Sequence, residues 1–204
     1  MLFCKDNESI FHVHIPRTGG RYIRELFVYN HFKIYHSNYE RFVEGIELPH
    51  LHYPLYNYLE GAEESKQFTI VRNPFNKFKS TMNLIIKGRE YPIEVYDMLK
   101  DKDWLFNFID YEKTQSDLYK SNTFRPQKEF ISEKTKVYKF ENGLGENLIE
   151  WLNENIDLKL RNASVFYQKG PLELKKYKLE QEIDPKVEDL IKEYYAEDYE
   201  FFNY

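Results

Sequence analysis

Apolar and polar positions along the chain alternate with two periods. Residues 10–15, Ile-Phe-His-Val-His-Ile, are weakly alternating and β-branched, which predicts a strand. Pro16 ends it, and Thr18-Gly19-Gly20 predicts a tight turn. Over residues 21–32 the apolar positions Tyr22, Leu26 and Tyr29 recur at helical spacing, with Ile23 and Phe27 beside them. A second strand is predicted over 67–71 (Gln-Phe-Thr-Ile-Val). Arg72-Asn73-Pro74 breaks it, and Pro74 suits the first turn of a helix carrying Phe75, Phe78, Met82, Ile85 and Ile86. Further helices are expected over 92–100, 104–111, 127–131, 145–155 and 185–195, and a third strand over 136–140. Strands alternating with helices predict an α/β layer fold with a short central parallel sheet flanked by helices. In such sheets ligands gather beyond the carboxyl ends of the strands, where both strand-to-helix junctions fall.

Charge sharpens this picture. The net charge is −5, which argues against general nucleic-acid binding. Yet residues 65–89 hold six basic side chains and no acid, and residues 10–24 hold Arg17, Arg21 and Arg24 and no acid. The stretch 180–200 is the reverse, with nine carboxylates against Lys186 and Lys192. Two local basic segments in an acidic chain point to a defined anion site rather than a basic coat. A single cysteine, Cys4, excludes a disulfide framework. At about 150 residues per domain, 204 residues favour one domain. No apolar run approaches the ~20 residues of a membrane span, and no secretory leader pattern opens the chain, so a cytoplasmic protein is expected.

The candidate chemistry sits at the junctions. In Pro16-Arg17-Thr18-Gly19-Gly20-Arg21, glycines admit close approach of an anion to backbone N–H groups. The following helix presents its N-terminus, and the arginines add charge-assisted donors. The spacing is not that of a Walker A loop, and an ordinary turn is the competing reading. At Val71-Arg72-Asn73-Pro74, Arg72 offers a guanidinium fork and Ser80 a hydroxyl for a phosphate; the alternative is a helix start with a solvated basic face. Between them, His50-Leu51-His52 offers neutral imidazoles near pH 7. Paired metal ligands or a surface loop are the other readings of that segment.

Taken together, the two junctions resemble the sulfotransferase superfamily, and within it the carbohydrate branch that includes heparan sulfate 2-O-sulfotransferases. The family's loops typically read Pro-Lys-Thr-Gly-Gly-Thr-Ser and Val-Arg-Asp-Pro-x-x-Arg-x-x-Ser. The resemblance implies a P-loop-like sulfotransferase fold in one domain spanning 1–204. It implies an enzyme that moves a sulfuryl group from 3′-phosphoadenosine 5′-phosphosulfate (PAPS) to a hydroxyl acceptor, a sugar or glycan by analogy. The product would be 3′-phosphoadenosine 5′-phosphate (PAP), and neither a metal, a nucleic acid nor a membrane partner is implied. Carried over by position, Arg17, Thr18, Gly19, Gly20, Arg21 and Tyr22 bind the 5′-phosphosulfate side, Arg72 and Ser80 bind the 3′-phosphate, and Lys169 lies in a loop over the cofactor. His52 becomes the general base and His50 its support, while Arg17 also stabilises the leaving phosphate.

Weaker echoes follow in Phe124-Arg125-Pro126-Gln127, in Phe140-Glu141-Asn142 and in the tail around Asp198 and Phe202. The sequence departs from the pattern at Arg17 (Lys in the family), Arg21 (Thr or Ser), Asn73 (Asp) and Lys77 (Arg). Arg17 keeps the charge of the family's lysine but, with a pKa above 12, cannot serve as a proton donor. Two other readings are a nucleotide-dependent kinase, for which no apolar strand ending in a Walker B-type Asp is found, and a non-catalytic module that binds PAP or a sulfated glycan.

Overall fold

The computed structural model describes residues 1–89, 94–114, 119–162 and 184–204. Its centre is a mixed five-stranded sheet. Strand β1 (Leu2–Lys5) forms an antiparallel hairpin with β2 (Glu8–His12), and β3 (Lys33–Tyr35) pairs antiparallel to β1 on the edge. Strands β6 (Lys66–Val71) and β7 (Thr135–Lys139) continue the sheet in parallel from β2. Strands β4 (Phe42–Val43) and β5 (Ile46–Glu47) make a separate small ribbon. The expected parallel sheet is therefore the β2-β6-β7 half of a mixed sheet. β6 lies in its middle and is buried from Gln67 to Val71, with Phe68, Ile70 and Val71 apolar and the polar side chains of Gln67 and Thr69 hydrogen-bonded inside.

Helix α1 (Gly20–Tyr29) buries Ile23, Leu26 and Phe27 on one face. It stops short of the expected residue 32 because the Asn30 amide donates to the Leu26 carbonyl (2.9 Å) and His31 turns to φ 66°. Helix α2 (Pro74–Arg89) starts where Pro74 needs no N–H partner, and Asn73 Oδ1 caps it by accepting from Asn76 N (3.1 Å). Then come α3 (Val95–Met98), α4 (Lys102–Thr114), α5 (Glu146–Asn155), α6 (Pro185–Tyr194) and α7 (Ala196–Phe202). The helix expected over 127–131 is a single 3-10 turn, Gln127–Phe130.

Both faces of the sheet are covered. On one, Phe3, Ile10, Phe27, Phe68, Ile70 and Leu152 pack beneath α1 and α5. On the other, Phe11, Val13, Leu51, Tyr56, Val71 and Phe130 pack under the loops of residues 46–62. A third cluster binds α2, α4 and α6 together. Among the described residues no helix is long and apolar enough to cross a membrane.

Candidate functional site

The strand expected over 10–15 leaves the sheet early. Val13 N–H still reaches the Phe68 carbonyl (2.9 Å), but the Val13 carbonyl accepts from the Thr69 side-chain hydroxyl of β6 (2.7 Å) instead of from a backbone N–H. The freed chain turns through Arg17, in the left-handed region at φ 68°, and Gly19, at φ 100°. A left-handed arginine costs of order 1–3 kcal/mol and persists only where the surroundings over-determine it. Thr18 is one of those surroundings. It is fully buried and its hydroxyl donates to the Ile15 carbonyl (2.7 Å), pinning the loop from within. That hydroxyl proton is thus spent on the loop, and what Thr18 offers an anion is its backbone. Gly20 opens α1 against the ring of His14, where an added Cβ would lie 2.0 Å from Nε2. The glycine pair is therefore required by backbone conformation at Gly19 and by close packing at Gly20.

The two junctions meet. Arg17 Nε and Nη2 donate to Ser80 Oγ on α2 at 3.1 and 3.0 Å, and Arg72 Nη1 donates to the Arg17 carbonyl at 3.3 Å. With two donors on its oxygen, Ser80 keeps its own proton to give. Burial lowers the Arg17 pKa, and the nearby Arg72 and Arg21 guanidiniums add to that. Burial also lowers that of Arg72, with Glu141 opposing. Both remain cations, since arginine is never deprotonated in proteins. Among the described residues no carboxylate comes within ion-pairing distance of either, and Arg72 Nε is buried with no hydrogen-bond partner. The Arg72 guanidinium lies over the Phe140 ring at 4.6 Å, a cation–π contact.

Behind Arg72 stands a bracket of distant residues. Gln127 accepts from Arg72 N (2.9 Å) and donates to Arg72 O (2.7 Å). The buried Asp198 carboxylate in turn accepts from the backbone N–H groups of Gln127 (2.8 Å) and Lys128 (2.9 Å). Glu141 accepts from Asn73 N at 2.8 Å. The segments around Gln127, Glu141 and Asp198 thus hold Arg72 and its neighbour in place. Lys77 is not on a solvated face: it is buried, its Nζ donates to the Thr123 carbonyl (2.6 Å), and burial lowers its pKa to about 8.

The histidines lie on the other side of Gly20. His12, His14 and His50 form a row, with ring centroids 5.4 and 4.8 Å apart, and Phe68 closes its inner end. Both ring nitrogens of His12 and Nδ1 of His14 are buried without partners, and burial drives both pKa values well below the usual imidazole range. His50 Nδ1 pairs with Glu47 Oε2 at 2.8 Å. His52 Nδ1 lies 3.1 Å from Asn122 Nδ2, and burial with the nearby Arg125 lowers its pKa to about 4. No hydrogen bond links His52 to Arg17, Ser80 or Arg72 among the described residues. Arg21 is exposed on α1, and Tyr22 packs against the core under α1 and α5. Lys169 lies outside the described residues. Among the described residues no group of three or more His, Cys, Asp or Glu is arranged to hold a metal ion.

No protein-family model, no curated protein and no solved structure matches the chain.

The sequence pointed to Arg17, Gly19, Gly20, Arg72, Ser80 and the His50–His52 segment, but not to Gln127 and Asp198 as the brace behind Arg72 or to Asn122 as the partner of His50 and His52. Each of these acts across 55 to 72 residues of chain, and no local spacing announces it. The hint available was the faint resemblance carried by Phe124-Arg125-Pro126-Gln127 and by the tail around Asp198; Asn122 lay just outside it.

Proposed function

We propose that the protein is a sulfotransferase that binds PAPS across the two strand-to-helix junctions and passes its sulfuryl group to a hydroxyl, of a carbohydrate by resemblance. One observation carries the reading. Two half-buried guanidiniums, Arg17 and Arg72, share one place with no carboxylate within ion-pairing distance among the described residues, Glu141 acting on Arg72 only from further off, and a buried Arg72 N–H has no partner. Uncompensated buried charge costs several kcal/mol per ion, and a ligand carrying phosphates repays it. The residues fit such a ligand. The loop of Arg17 to Gly20 ends at the N-terminus of α1, Ser80 has a proton to give, and the Arg72 guanidinium lies over the Phe140 ring.

In this reading a histidine of the 50–52 segment accepts the proton as the acceptor O–H bond breaks. The acceptor oxygen forms the new O–S bond in line, and the bond from sulfur to the 5′-phosphate oxygen breaks with its electron pair leaving on that oxygen. Arg17 and the N–H groups of the glycine loop take up the growing charge. Positioning and preorganised electrostatics supply most of the acceleration, as in phosphoryl transfer.

Thermal denaturation with PAP, ATP and AMP tests the reading. PAP at 100 times its Kd raises stability by about 2.7 kcal/mol through mass action. A larger shift with PAP than with AMP or ATP supports it. A preference for ATP supports the kinase reading instead, and no shift with any nucleotide overturns both.

A further inference from the structure

The two histidines of the 50–52 segment are wired in opposite senses. Asn122 fixes the sense at His52. Its Nδ2 donates to the His50 carbonyl (2.9 Å) and its Oδ1 accepts from Arg125 Nε (3.0 Å), and an arginine nitrogen can only donate. The amide is therefore oriented, and its second Nδ2 hydrogen faces His52 Nδ1 at 3.1 Å. The lone pair of His52 is consumed there, so the neutral ring carries its hydrogen on Nε2 and can only donate from that atom. Burial and Arg125 hold this ring in the neutral form.

At His50 the partner is a carboxylate. Glu47 Oε2 accepts from Nδ1 at 2.8 Å, which puts the lone pair of the neutral ring on Nε2. The His50 ring packs on His14, which itself touches Gly20 at the mouth of the anion loop, and Tyr39 closes on it edge-on at 5.4 Å. A tenth of the His50 side chain is accessible.

We propose that His50, rather than His52, takes the proton from the acceptor hydroxyl, with Glu47 holding its tautomer and His52 serving as a hydrogen-bond donor. The assignment rests on the sulfuryl-transfer reading above. The acceptor O–H bond breaks, its proton goes to His50 Nε2, and Glu47 stabilises the resulting imidazolium. This is the base-and-orienter arrangement in which a carboxylate sets the ring for catalysis.

Long-range 15N–1H spectra of the imidazole rings, recorded with PAP at about pH 7.5, read both tautomers directly. The His50→Gln and His52→Gln variants assign the signals. His50 is expected as Nδ1–H with a bare Nε2, and His52 as Nε2–H with a bare Nδ1. The His50 Nδ1 signal moves in Glu47→Gln. The reversed pattern, or a His50 ring bearing both hydrogens, overturns the assignment. PAP release from PAPS with water as the sulfuryl acceptor, its O–H bond breaking as the O–S bond forms, supplies the second readout. His50→Gln loses about 10²–10⁴-fold, whereas His52→Gln, whose amide keeps a donor at the Nε2 position, loses about tenfold. Equal losses, or a larger loss at position 52, also overturn it. PAP binding with reversed tautomers defeats this assignment alone, while failure of PAP to bind defeats the sulfuryl-transfer reading and the assignment with it.

Discussion

The junctions after β2 and β6 each deliver one arginine to the same place, but they are built by opposite means. The first is local. Left-handed Arg17 and Gly19, the Thr18 bond to the Ile15 carbonyl and the glycine packed on His14 all lie within seven residues. The second has no left-handed residue and is braced from afar: Gln127 grips both backbone groups of Arg72, Glu141 takes Asn73 N, and Tyr199 Oη accepts from Phe75 N (3.3 Å). A strained turn can hold its shape with its own residues because glycine and a short hydroxyl side chain solve the problem on the spot. A strand end with ordinary backbone leaves its N–H and C=O to be satisfied elsewhere. The first junction therefore concentrates its cost in conformation and the second in long-range hydrogen bonds.

Substitutions can break this contrast. The largest effect is expected at Arg72→Ala, which removes one of the two cations. PAP binding weakens by about 2–5 kcal/mol as read by calorimetry, while the urea midpoint moves little. A wild-type affinity in this variant removes Arg72 from the site. Gln127→Leu does the opposite. It leaves a backbone donor and acceptor of Arg72 unsatisfied, at about 1–3 kcal/mol each where they stay buried, and lowers the urea midpoint. If the midpoint is unchanged, the second junction does not depend on its distant brace.

Gly20→Ala probes the first junction. Its methyl group must displace the His14 ring, an overpacking that costs about 1–3 kcal/mol and separates α1 from the histidine row. Full stability would show that the close approach is not required.

The smallest effect concerns pH. His12 has its pKa depressed by burial, so the unfolded chain binds its proton first as pH falls. The neutral ring therefore contributes stability that is complete above the ordinary histidine pKa near 6.5 and is lost below it. Each such proton adds a slope of about 1.4 kcal/mol per pH unit. His12→Phe, close in shape and unable to titrate, should flatten the fall in denaturant stability between about pH 6.5 and 5. An unchanged slope would mean that His12 protonates without unfolding.

The same contrast explains what could be read from the chain. Strand β6, α1, α2 and the glycine loop announce themselves through apolar runs, helical spacing and Pro or Gly punctuation, all of which are local. The hairpin formed by β1 went unread because Leu2–Lys5 is four residues long, although Asp6-Asn7 between it and β2 is turn chemistry. His12 and His14 were legible as alternate positions on a strand but not as buried, unpartnered rings, since burial depends on α1 covering that face. The hydrogen bond that orients His52 was also invisible, because it comes from Asn122, 70 residues away.

The central claim is that Arg17 and Arg72, joined by the Arg72 hydrogen bond to the Arg17 carbonyl, serve one ligand bearing a 3′-phosphate. The most direct measurement is the ratio of PAP to AMP affinity in the wild type and in Arg72→Ala, by titration calorimetry at one fixed salt concentration. A strong wild-type preference for PAP that collapses towards unity in Arg72→Ala is the expected result. Equal affinities in the wild type, or a preference that survives loss of Arg72, would contradict it.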